Sequence, residues 1–261
     1  MKIARYLYDN EISYGVVKNN KLKKIRGDIF SNFATENELF SIEEVDFLSP
    51  VIPPNIIAIG LNYQKHAEES GSKLPEKPVV FLKATTSLAG PNDLIKLPQM
   101  APDEVDFEAE LAVIIAKKAK NITPEKASDY ILGYTCANDV SARDCQKRID
   151  KQWARGKSFD TFCPLGPVIE TELNPQNLKI ESILNGRVMQ SSNTSDMIFS
   201  VREIVSYLSK NMTLLPGTVI LTGTPEGVGF ARDNPEFLNT GDKIEIKIEN
   251  IGSLKNKVIK E

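Results

Sequence analysis

The chain has 261 residues, of which 41% are hydrophobic and 26% are charged, and its formal net charge at pH 7 is -3. These values are typical of a globular protein and exclude a disordered or low-complexity chain. Because no cluster of five or six basic residues occurs, nucleic acid is not an expected partner. No apolar run approaches the roughly 20 residues that span a bilayer, and no apolar signal core opens the chain. We therefore expect a cytoplasmic protein without a membrane partner.

The residues 1–50 predict a small β-rich domain. Alternating polar and apolar residues at 2–8 and 12–17 predict strands of a β-meander, whereas residues 31–48 are polar and typical of a linker. The prolines at 53–54 interrupt regular structure before an apolar strand. We therefore place a domain boundary here and predict a second domain over residues 51–261.

The second domain is predicted to be rich in strands and poor in helices. A helix N-cap is indicated at Thr123, with proline and glutamate in the first turn of a helix that runs through Tyr130. Residues 197–212 carry apolar side chains at helical spacing and predict an amphipathic helix. Period-two or continuous apolar patterns predict strands in the segments 55–60, 79–83, 106–116, 131–139, 217–223 and 243–252. The predicted fold class is a β-dominated α+β fold.

The use of cysteine and histidine limits the metal chemistry. The cysteines Cys136, Cys145 and Cys163 lack a C-x-x-C spacing, which argues against a disulfide framework and a zinc knuckle. His66 is the single histidine, so a site that needs two or three imidazoles is excluded. Any metal must therefore be held mainly by oxygen.

Alternating acids provide such oxygen ligands. Asp106, Glu108 and Glu110 would project from one face of a strand that continues into the apolar segment LAVIIA. For two acids at this spacing, a solvated strand face is the more common explanation. Partly buried carboxylates ~4 Å apart repel by about 4 kcal/mol at an effective dielectric near 20, so they must protonate or recruit a cation. Asp139 ends a later strand and can complete an oxygen site, for which magnesium is preferred over calcium.

His66 precedes Glu69 by three residues, so a single helical turn would bring the two side chains onto one face. Such a pair can act as a general base, because the carboxylate fixes one tautomer and stabilises the imidazolium. From spacing alone, a surface histidine beside acids is the more common explanation.

Six segments together resemble the fumarylacetoacetate hydrolase family. They occur in family order between about residues 55 and 257, which makes chance agreement improbable: GLNYQKHAEE, VDFEAELAVII, ANDVSARDCQ, GKSFDTFCPLGP, LTGTPEGVG and TGDKIEIKIENIG. The resemblance implies the fold of that family, a mixed β-sandwich or roll with few helices beside the small N-terminal domain. It also implies a homodimer.

The resemblance implies a metal site and a catalytic pair. Similar proteins bind magnesium through a Glu-x-Glu pair and a later Asp, which correspond to Glu108, Glu110 and Asp139 here; Mn²⁺ or Ca²⁺ is an alternative ion. In the acylpyruvase-like branch of the family, a His and a Glu three residues apart activate water. These positions correspond to His66 and Glu69.

Further residues gain roles only through the resemblance. The family lysine in Gly-Lys-Ser-Phe corresponds to Lys157, whose ammonium could stabilise an oxyanion. Thr224 follows an apolar strand, where its hydroxyl could reach a bound carboxylate. Lys83 also corresponds to a family lysine, but Ala84 stands where relatives often have proline, so its role is undefined. Without the resemblance, Lys157 would be taken as a solvated lysine and Thr224 as part of a plain turn.

Arg143 and Gln146 follow Asp139 by four and seven residues. A helix that begins near Ser141 would direct both side chains toward the metal side. The resemblance makes them contacts for the substrate carboxylate and for water; otherwise they would be ordinary residues of a helix surface.

These roles predict a magnesium-dependent hydrolase that cleaves a carbon–carbon bond in a small acylpyruvate or diketo acid. The substrate would chelate the ion, His66 with Glu69 would activate water, and pyruvate enolate would leave. The alternatives are a 2-hydroxyhepta-2,4-diene-1,7-dioate isomerase or an oxaloacetate decarboxylase, because the same enolate serves these reactions. A remoter alternative is a non-catalytic module that binds divalent cations, against which the intact His66 and Glu69 pair argues.

Overall fold

The computed structural model describes all 261 residues. Five strands form in the N-terminal region: β1 Lys2–Tyr8, β2 Glu11–Lys18, β3 Lys21–Gly27, β4 Phe33–Ser41 and β5 Asp46–Leu48. The later strands are β6 Ile56–Gly60, β7 Val79–Lys83, β8 Leu88–Ala89, β9 Leu94–Leu97, β10 Val105–Asp106, β11 Ala109–Ile115, β12 Ile131–Asn138, β13 Ser141–Ala142, β14 Cys163–Glu170, β15 Lys179–Leu184, β16 Arg187–Asn193, β17 Val219–Leu221, β18 Lys243–Ile248 and β19 Gly252–Lys260.

Helical structure is sparse. The two α-helices are α1 Gln64–Glu69 and α2 Val201–Asn211. Short 3₁₀ helices occur at Ile42–Glu44, Thr85–Ser87, Pro124–Tyr130, Thr194–Asp196 and Gly229–Ala231, and a π-helical turn occurs at Cys145–Ile149. None of these helices has the length and the apolar character that crossing a membrane would require.

The strands form two main sheets. The larger sheet has twelve strands in the order β4-β3-β2-β1-β14-β12-β11-β17-β6-β7, with β5 paired to β1 and β8 paired to β14. The smaller sheet has five strands in the order β16-β15-β18-β19-β9. Most neighbours are antiparallel, but β17 with β6, β14 with β8 and β19 with β9 are parallel. The predicted strand-dominated α+β fold with mixed sheets is therefore confirmed.

Strand β11 is buried along its whole length because both of its faces are covered. Leu111 and Val113 belong to the larger hydrophobic core, together with Ile246 of the smaller sheet. Ala112 and Ile114 lie on the opposite face, in a second core. This packing fixes the start of β11, immediately after Glu108, within a rigid part of the molecule.

The prediction of a linker over residues 31–48 is wrong. This segment contains β4, which pairs with β3, and β5, which pairs with β1. Most side chains of β4 are exposed, so its composition is polar although its backbone is hydrogen-bonded in the sheet. Strand β1 pairs in turn with β14 through Ile3 and Ile169, so the N-terminal strands extend the larger sheet.

Both predicted helical segments are present with changed limits or geometry. Helix α2 begins after Ser200, whose side chain accepts from the backbone N–H of Glu203 while the Glu203 carboxylate accepts from the backbone N–H of Ser200. Its buried face includes Ile204 and Leu208, as an amphipathic helix requires. The segment Pro124–Tyr130 is a 3₁₀ helix with Thr123 at its N-cap position, as predicted, but the Thr123 side chain makes no capping hydrogen bond.

Candidate active site

Glu108, Glu110 and Asp139 form a buried trio of carboxylates. Each offers an oxygen, and these three oxygens lie within 4.8 Å of one another. The strand pairing causes this convergence, because the first residue of β11 is paired with the last residue of β12. The backbone N–H of Asp139 also donates to the carbonyl of Glu108, with an N–O distance of 3.0 Å.

Asp106 does not share this site, so the prediction of three acids on one strand face is wrong. The strand is interrupted at residues 107–108, between β10 and β11. The Asp106 carboxylate accepts from the backbone N–H groups of Gly229 at 2.8 Å and Phe230 at 3.0 Å, and from Arg143 Nε at 2.9 Å. These donors occupy its oxygens and turn it away from the trio.

Two buried lysines contact the trio directly. Lys157 Nζ lies 2.9 Å from Glu108 Oε2 and 2.7 Å from Asp139 Oδ2. Lys83 Nζ lies 2.5 Å from Asp139 Oδ1 and 3.3 Å from the carbonyl oxygen of Val140. The two ammonium groups therefore neutralise part of the negative charge of the trio. Repulsion between the carboxylates does not by itself require a metal ion.

Glu110 forms no ion pair, because Lys83, Lys157 and Arg143 are paired with other carboxylates. Its carboxylate accepts from the backbone N–H of Gly223 at 2.6 Å. Burial, and then the charges of Asp139 and Glu108, raise the pKa of Glu110 well above its ordinary value. Burial alone would raise the pKa of Glu108 as well, but the positive charges of Lys157 and Arg143 outweigh burial and lower it.

A divalent cation fits this arrangement. With Asp106 included, the region holds four buried carboxylates and the three cations Lys83, Arg143 and Lys157, so one negative charge remains when all are ionised. The converging donors are hard carboxylate oxygens, which suit Mg²⁺, Mn²⁺ or Ca²⁺. Glu108, Glu110 and Asp139 are the residues that could hold such an ion.

The structure brings His66 and Glu69 together on α1. His66 Nδ1 lies 3.2 Å from Glu69 Oε2, and the Glu69 carboxylate also accepts from the backbone N–H of Gly227. The His66 side chain is 10% exposed, and its ring meets the ring of Phe230 edge to face. Because Nδ1 faces the carboxylate, Nε2 is the nitrogen that remains for water or a ligand.

Arg143 and Gln146 also lie together on a short helical segment, residues 143–149, as predicted, although it begins slightly after Ser141. Ser141 itself belongs to β13, which pairs with β10, and the segment is α-helical at residues 143–144 and π-helical at Cys145–Ile149. The backbone N–H of Arg143, at the start of the segment, donates to the carbonyl of Glu104. Arg143 Nη1 donates to Gln146 Oε1 at 2.7 Å.

Some buried donors at the site have no aligned acceptor. Arg143 Nη2 lies 2.7 Å from Glu108 Oε1 as an ion pair but without hydrogen-bond alignment. Asn138 Nδ2 and the Tyr63 hydroxyl are buried without a partner. Since such groups cost free energy when left unpaired, they are candidates for contacts with a bound ligand or water.

A cavity of about 190 Å³ lies beside Glu108 and Glu110, whereas Asp139, Glu69, Asn138 and Tyr63 do not line it. Its lining includes residues that the sequence predicted for the site: His66, Glu108, Glu110, Arg143, Gln146, Lys157 and Thr224. It also includes side chains that sequence reasoning missed: Phe81, Lys147, Trp153 and Phe230. No pattern in the sequence distinguishes these four residues from ordinary aromatic and basic residues.

Gln190, a further residue that sequence reasoning missed, holds Thr224 in place through a hydrogen bond. The Thr224 hydroxyl donates to the carbonyl of Ala109 at 3.0 Å and accepts from Gln190 Nε2 at 2.8 Å. Gln190 Oε1 accepts from the backbone N–H of Ala109 at 2.9 Å. A single buried amide therefore connects β16, the start of β11 and the loop that carries Thr224.

Two family models match nearly the whole chain. Residues 55–259 match the model described as Fumarylacetoacetate (FAA) hydrolase C-terminal. Residues 1–50 match the model described as Rv2993c-like, N-terminal.

Individual relatives extend this finding. A mitochondrial oxaloacetate tautomerase from Rattus norvegicus is 45% identical over 230 residues, which cover 87% of this chain and 73% of that protein. The crystal structure of 5-carboxymethyl-2-hydroxymuconate delta-isomerase from Mycobacterium smegmatis has a TM-score of 0.91 and 39% identity, with 100% of both chains covered. A fumarylacetoacetate hydrolase from psychrophilic Exiguobacterium antarcticum has a TM-score of 0.91 and 36% identity, again with 100% of both chains covered. The chain therefore belongs to the fumarylacetoacetate hydrolase family of enzymes.

Proposed function

We propose that this protein is a divalent-cation-dependent enzyme that interconverts the keto and enol forms of small 2-keto acids, as a tautomerase or isomerase. The observation that carries the proposal is the buried carboxylate trio Glu108, Glu110 and Asp139 beside His66. The tautomerase and isomerase names of relatives that are 45% and 39% identical support this reaction class.

The carboxylate trio would hold the cation, and Mg²⁺ is the proposed ion. Few protein ligands leave octahedral positions for water and for the oxygens of a substrate, which favours Mg²⁺. When bound, a divalent cation would polarise the keto oxygen and stabilise the negative charge of an enolate. Lys157 donates to Glu108 and Asp139 and so orients both ligands. Its ammonium has a third N–H, which is available to a developing oxyanion.

His66 is the proposed proton carrier. Its Nε2 would take a proton from the carbon next to the keto group and deliver it to the enolate oxygen to give the enol, or move it in the reverse direction, while Glu69 at Nδ1 stabilises the imidazolium. Arg143 is the proposed contact for the substrate carboxylate, because it lines the cavity and its buried Nη2, 2.7 Å from Glu108 Oε1, has no aligned acceptor. In this proposal Gln146 holds the Arg143 guanidinium, and Thr224 borders the bound acid.

Hydrolysis of an acylpyruvate is the second candidate function, and the His66 and Glu69 pair favours it. In that reaction His66 takes a proton from water, the hydroxide oxygen bonds to the acyl carbon, and the carbon–carbon bond breaks. The bond electrons leave with pyruvate enolate, which is then protonated. The hydrolase name of a relative that is 36% identical supports this candidate.

A substrate panel tests the proposal. The purified protein would be assayed with Mg²⁺ and with EDTA against enol-oxaloacetate, 2-hydroxyhepta-2,4-diene-1,7-dioate and acetylpyruvate. We expect magnesium-dependent ketonisation of the first two acids, followed by ultraviolet absorbance above the spontaneous rate. Release of pyruvate from acetylpyruvate alone would instead favour the hydrolase. A protein that binds Mg²⁺ but converts none of these acids would support the non-catalytic module.

A further inference from the structure

Lys147 is a cation in the cavity that has no acidic partner. Its ammonium lies 3.3 Å from the centroid of the Phe230 ring and makes no ion pair or hydrogen bond with the protein. Two arginines of the same segment are paired: Arg148 with Glu104 at 2.8 Å, and Arg155 with Asp150 at 2.7 Å. Lys151 has no acidic partner either, but it does not line the cavity. Lys147 is therefore the cation of this segment that lines the cavity without a carboxylate partner.

The surface under Lys147 is held in a fixed position. The guanidinium of Arg143 lies over the same Phe230 ring, 4.3 Å from its centroid. The buried carboxylate of Asp106 accepts both from Arg143 Nε and from the backbone N–H of Phe230. One carboxylate thus fixes the ring and the guanidinium, so the position of the Lys147 ammonium is set by residues that are themselves anchored.

The electrostatics of this surface favour an anion. Arg143 is already paired with Asp106 and Glu108, whereas Lys147 is not paired. Partial burial, and then the positive charge of Arg143, lower the pKa of Lys147. An acidic group of a ligand beside this ammonium would offset the repulsion between the two cations and gain a charge-assisted hydrogen bond.

We infer that Lys147 binds the remote acidic group of the substrate and thereby favours 2-keto dioates over 2-keto monoacids. The inference rests on the proposed function, because the keto acid end of the substrate must face the carboxylate trio for its other end to reach Lys147. Trp153 and Phe81 line the same cavity, and their ring centroids lie 5.6 Å apart. These two rings bound the space for the carbon chain between the two acidic ends of the substrate.

Matched ligands test this inference by direct binding. Isothermal titration calorimetry in the presence of Mg²⁺ would compare 2-oxoglutarate with 2-oxovalerate, and 2-oxoadipate with 2-oxohexanoate. Within each pair only the terminal carboxylate differs. For Lys147→Met we expect dioate binding to weaken about tenfold, the scale of one partly exposed charge-assisted contact, while monoacid binding stays within about twofold. Lys147→Arg should retain the preference for dioates, and Lys147→Glu should lose more of it than Lys147→Met.

The control variant is Lys151→Met, which removes an exposed lysine from the same segment outside the cavity lining. It should leave both dioate and monoacid binding unchanged. Equal weakening of both ligand classes in Lys147→Met, or no weakening in either, would overturn the inference, since a lysine that only packs on Phe230 predicts no discrimination.

The two hypotheses fail in different ways. Wild-type protein that prefers dioates but ketonises no keto acid would overturn the proposed function and leave the role of Lys147 supported. Wild-type protein that turns over keto acids with Mg²⁺ but binds monoacids and dioates equally would overturn only the role of Lys147. Melting temperatures of all variants within about 2 °C of wild type would show that the differences come from recognition and not from unfolding.

Discussion

The two sides of the cavity have opposite charge imbalances. One side, the acidic floor, consists of Glu108 and Glu110, which line the cavity, and of the fully buried Asp139. The floor retains an uncompensated carboxylate although two lysines contact it. The other side, the basic wall, consists of Arg143, Lys147 and Phe230. The buried carboxylate of Asp106 holds Arg143 in place, but the ammonium of Lys147 has no acidic partner. The floor therefore favours a cation, and the wall favours an anion.

This difference matches the chemistry of a 2-keto acid. Such a molecule carries oxygens that chelate a hard cation and a charge that needs positive partners. Neither side alone recognises it, because the floor repels an anion unless a cation is bound and the wall offers no site for a cation. Each side can be altered separately by substitution, and the predicted effects differ in size and in kind.

The largest effect is expected for Glu110→Gln in the floor. The substitution keeps an acceptor for the backbone N–H of Gly223 but removes the carboxylate that has no cationic partner. We expect Mg²⁺ affinity to fall at least about 100-fold and turnover about 1000-fold or more, because the variant loses a ligand of the trio. Calorimetry with MgCl₂ and the oxaloacetate assay check this. Glu68→Gln, an exposed change on α1, is the control; unaltered Mg²⁺ binding in Glu110→Gln would refute the floor as the metal site.

The next effect concerns His66, which stands between the floor and the wall. His66→Ala should lower turnover about 100- to 1000-fold, the usual contribution of a general base, and leave Mg²⁺ affinity within about twofold. Glu69→Gln should cause a smaller loss, because the imidazole remains but loses its carboxylate partner. Steady-state kinetics and calorimetry separate the two readouts. Full activity of His66→Ala would exclude the imidazole as the proton carrier.

The acidic floor was predictable from the sequence because residue patterns within short segments of the chain indicate its members. Period-two spacing indicated Glu108 and Glu110, which lie immediately before β11 and within it, and Asp139 follows the end of β12. Antiparallel pairing of β11 with β12 then brought the three side chains together. The strands with strong alternation or continuous apolar residues were predictable for the same reason.

Of the basic wall only Arg143 was predictable, through the family resemblance, because the geometry of the wall depends on residues distant in sequence. Asp106 has the same spacing as its acidic neighbours, but Gly229 and Phe230, more than 120 residues away, determine its partners. Lys147 resembles any exposed lysine until Phe230 lies under it. Strand β4 was missed on similar grounds, since backbone pairing with β3 stabilises it while its side chains remain polar and exposed.

Asp106→Asn tests whether the wall acts separately from the floor. The amide keeps one acceptor, so the backbone N–H groups of Gly229 and Phe230 and the guanidinium of Arg143 can no longer all be satisfied. We expect KM for a keto acid to rise about tenfold, kcat to change less than about threefold, and the free energy of unfolding to fall by about 3 kcal/mol. Urea unfolding and kinetics measure these quantities.

The control for this variant is Asp103→Asn, an exposed change on the same segment. Mg²⁺ affinity should be unchanged in both variants, because Asp106 is not a ligand of the trio. A fall in Mg²⁺ affinity with Asp106→Asn would show that the wall and the floor are coupled and not independent.

The smallest effect is a pH dependence of stability in the metal-free protein. The pKa of Glu110 lies above its ordinary value of 4.5 in the folded state, so the folded protein binds a proton that the unfolded chain has lost. The stability that this proton contributes is present below pH 4.5 and is lost as pH rises through the folded-state pKa. Wild type in EDTA should therefore lose stability above pH 5 by at most about 1.4 kcal/mol per pH unit more than Glu110→Gln.

The sign of this pH effect reverses when metal binds. Because Mg²⁺ requires the ionised carboxylate, its stabilisation of wild type should be greater at pH 8 than at pH 6, while Glu110→Gln should respond weakly at both. Melting temperatures of the two proteins, with EDTA and with MgCl₂, would differ by a few degrees. Taking the difference between wild type and variant cancels the groups that titrate alike in both. Parallel pH profiles in EDTA would mean that Glu110 stays ionised, so the remaining negative charge of the floor would have to be balanced without a proton.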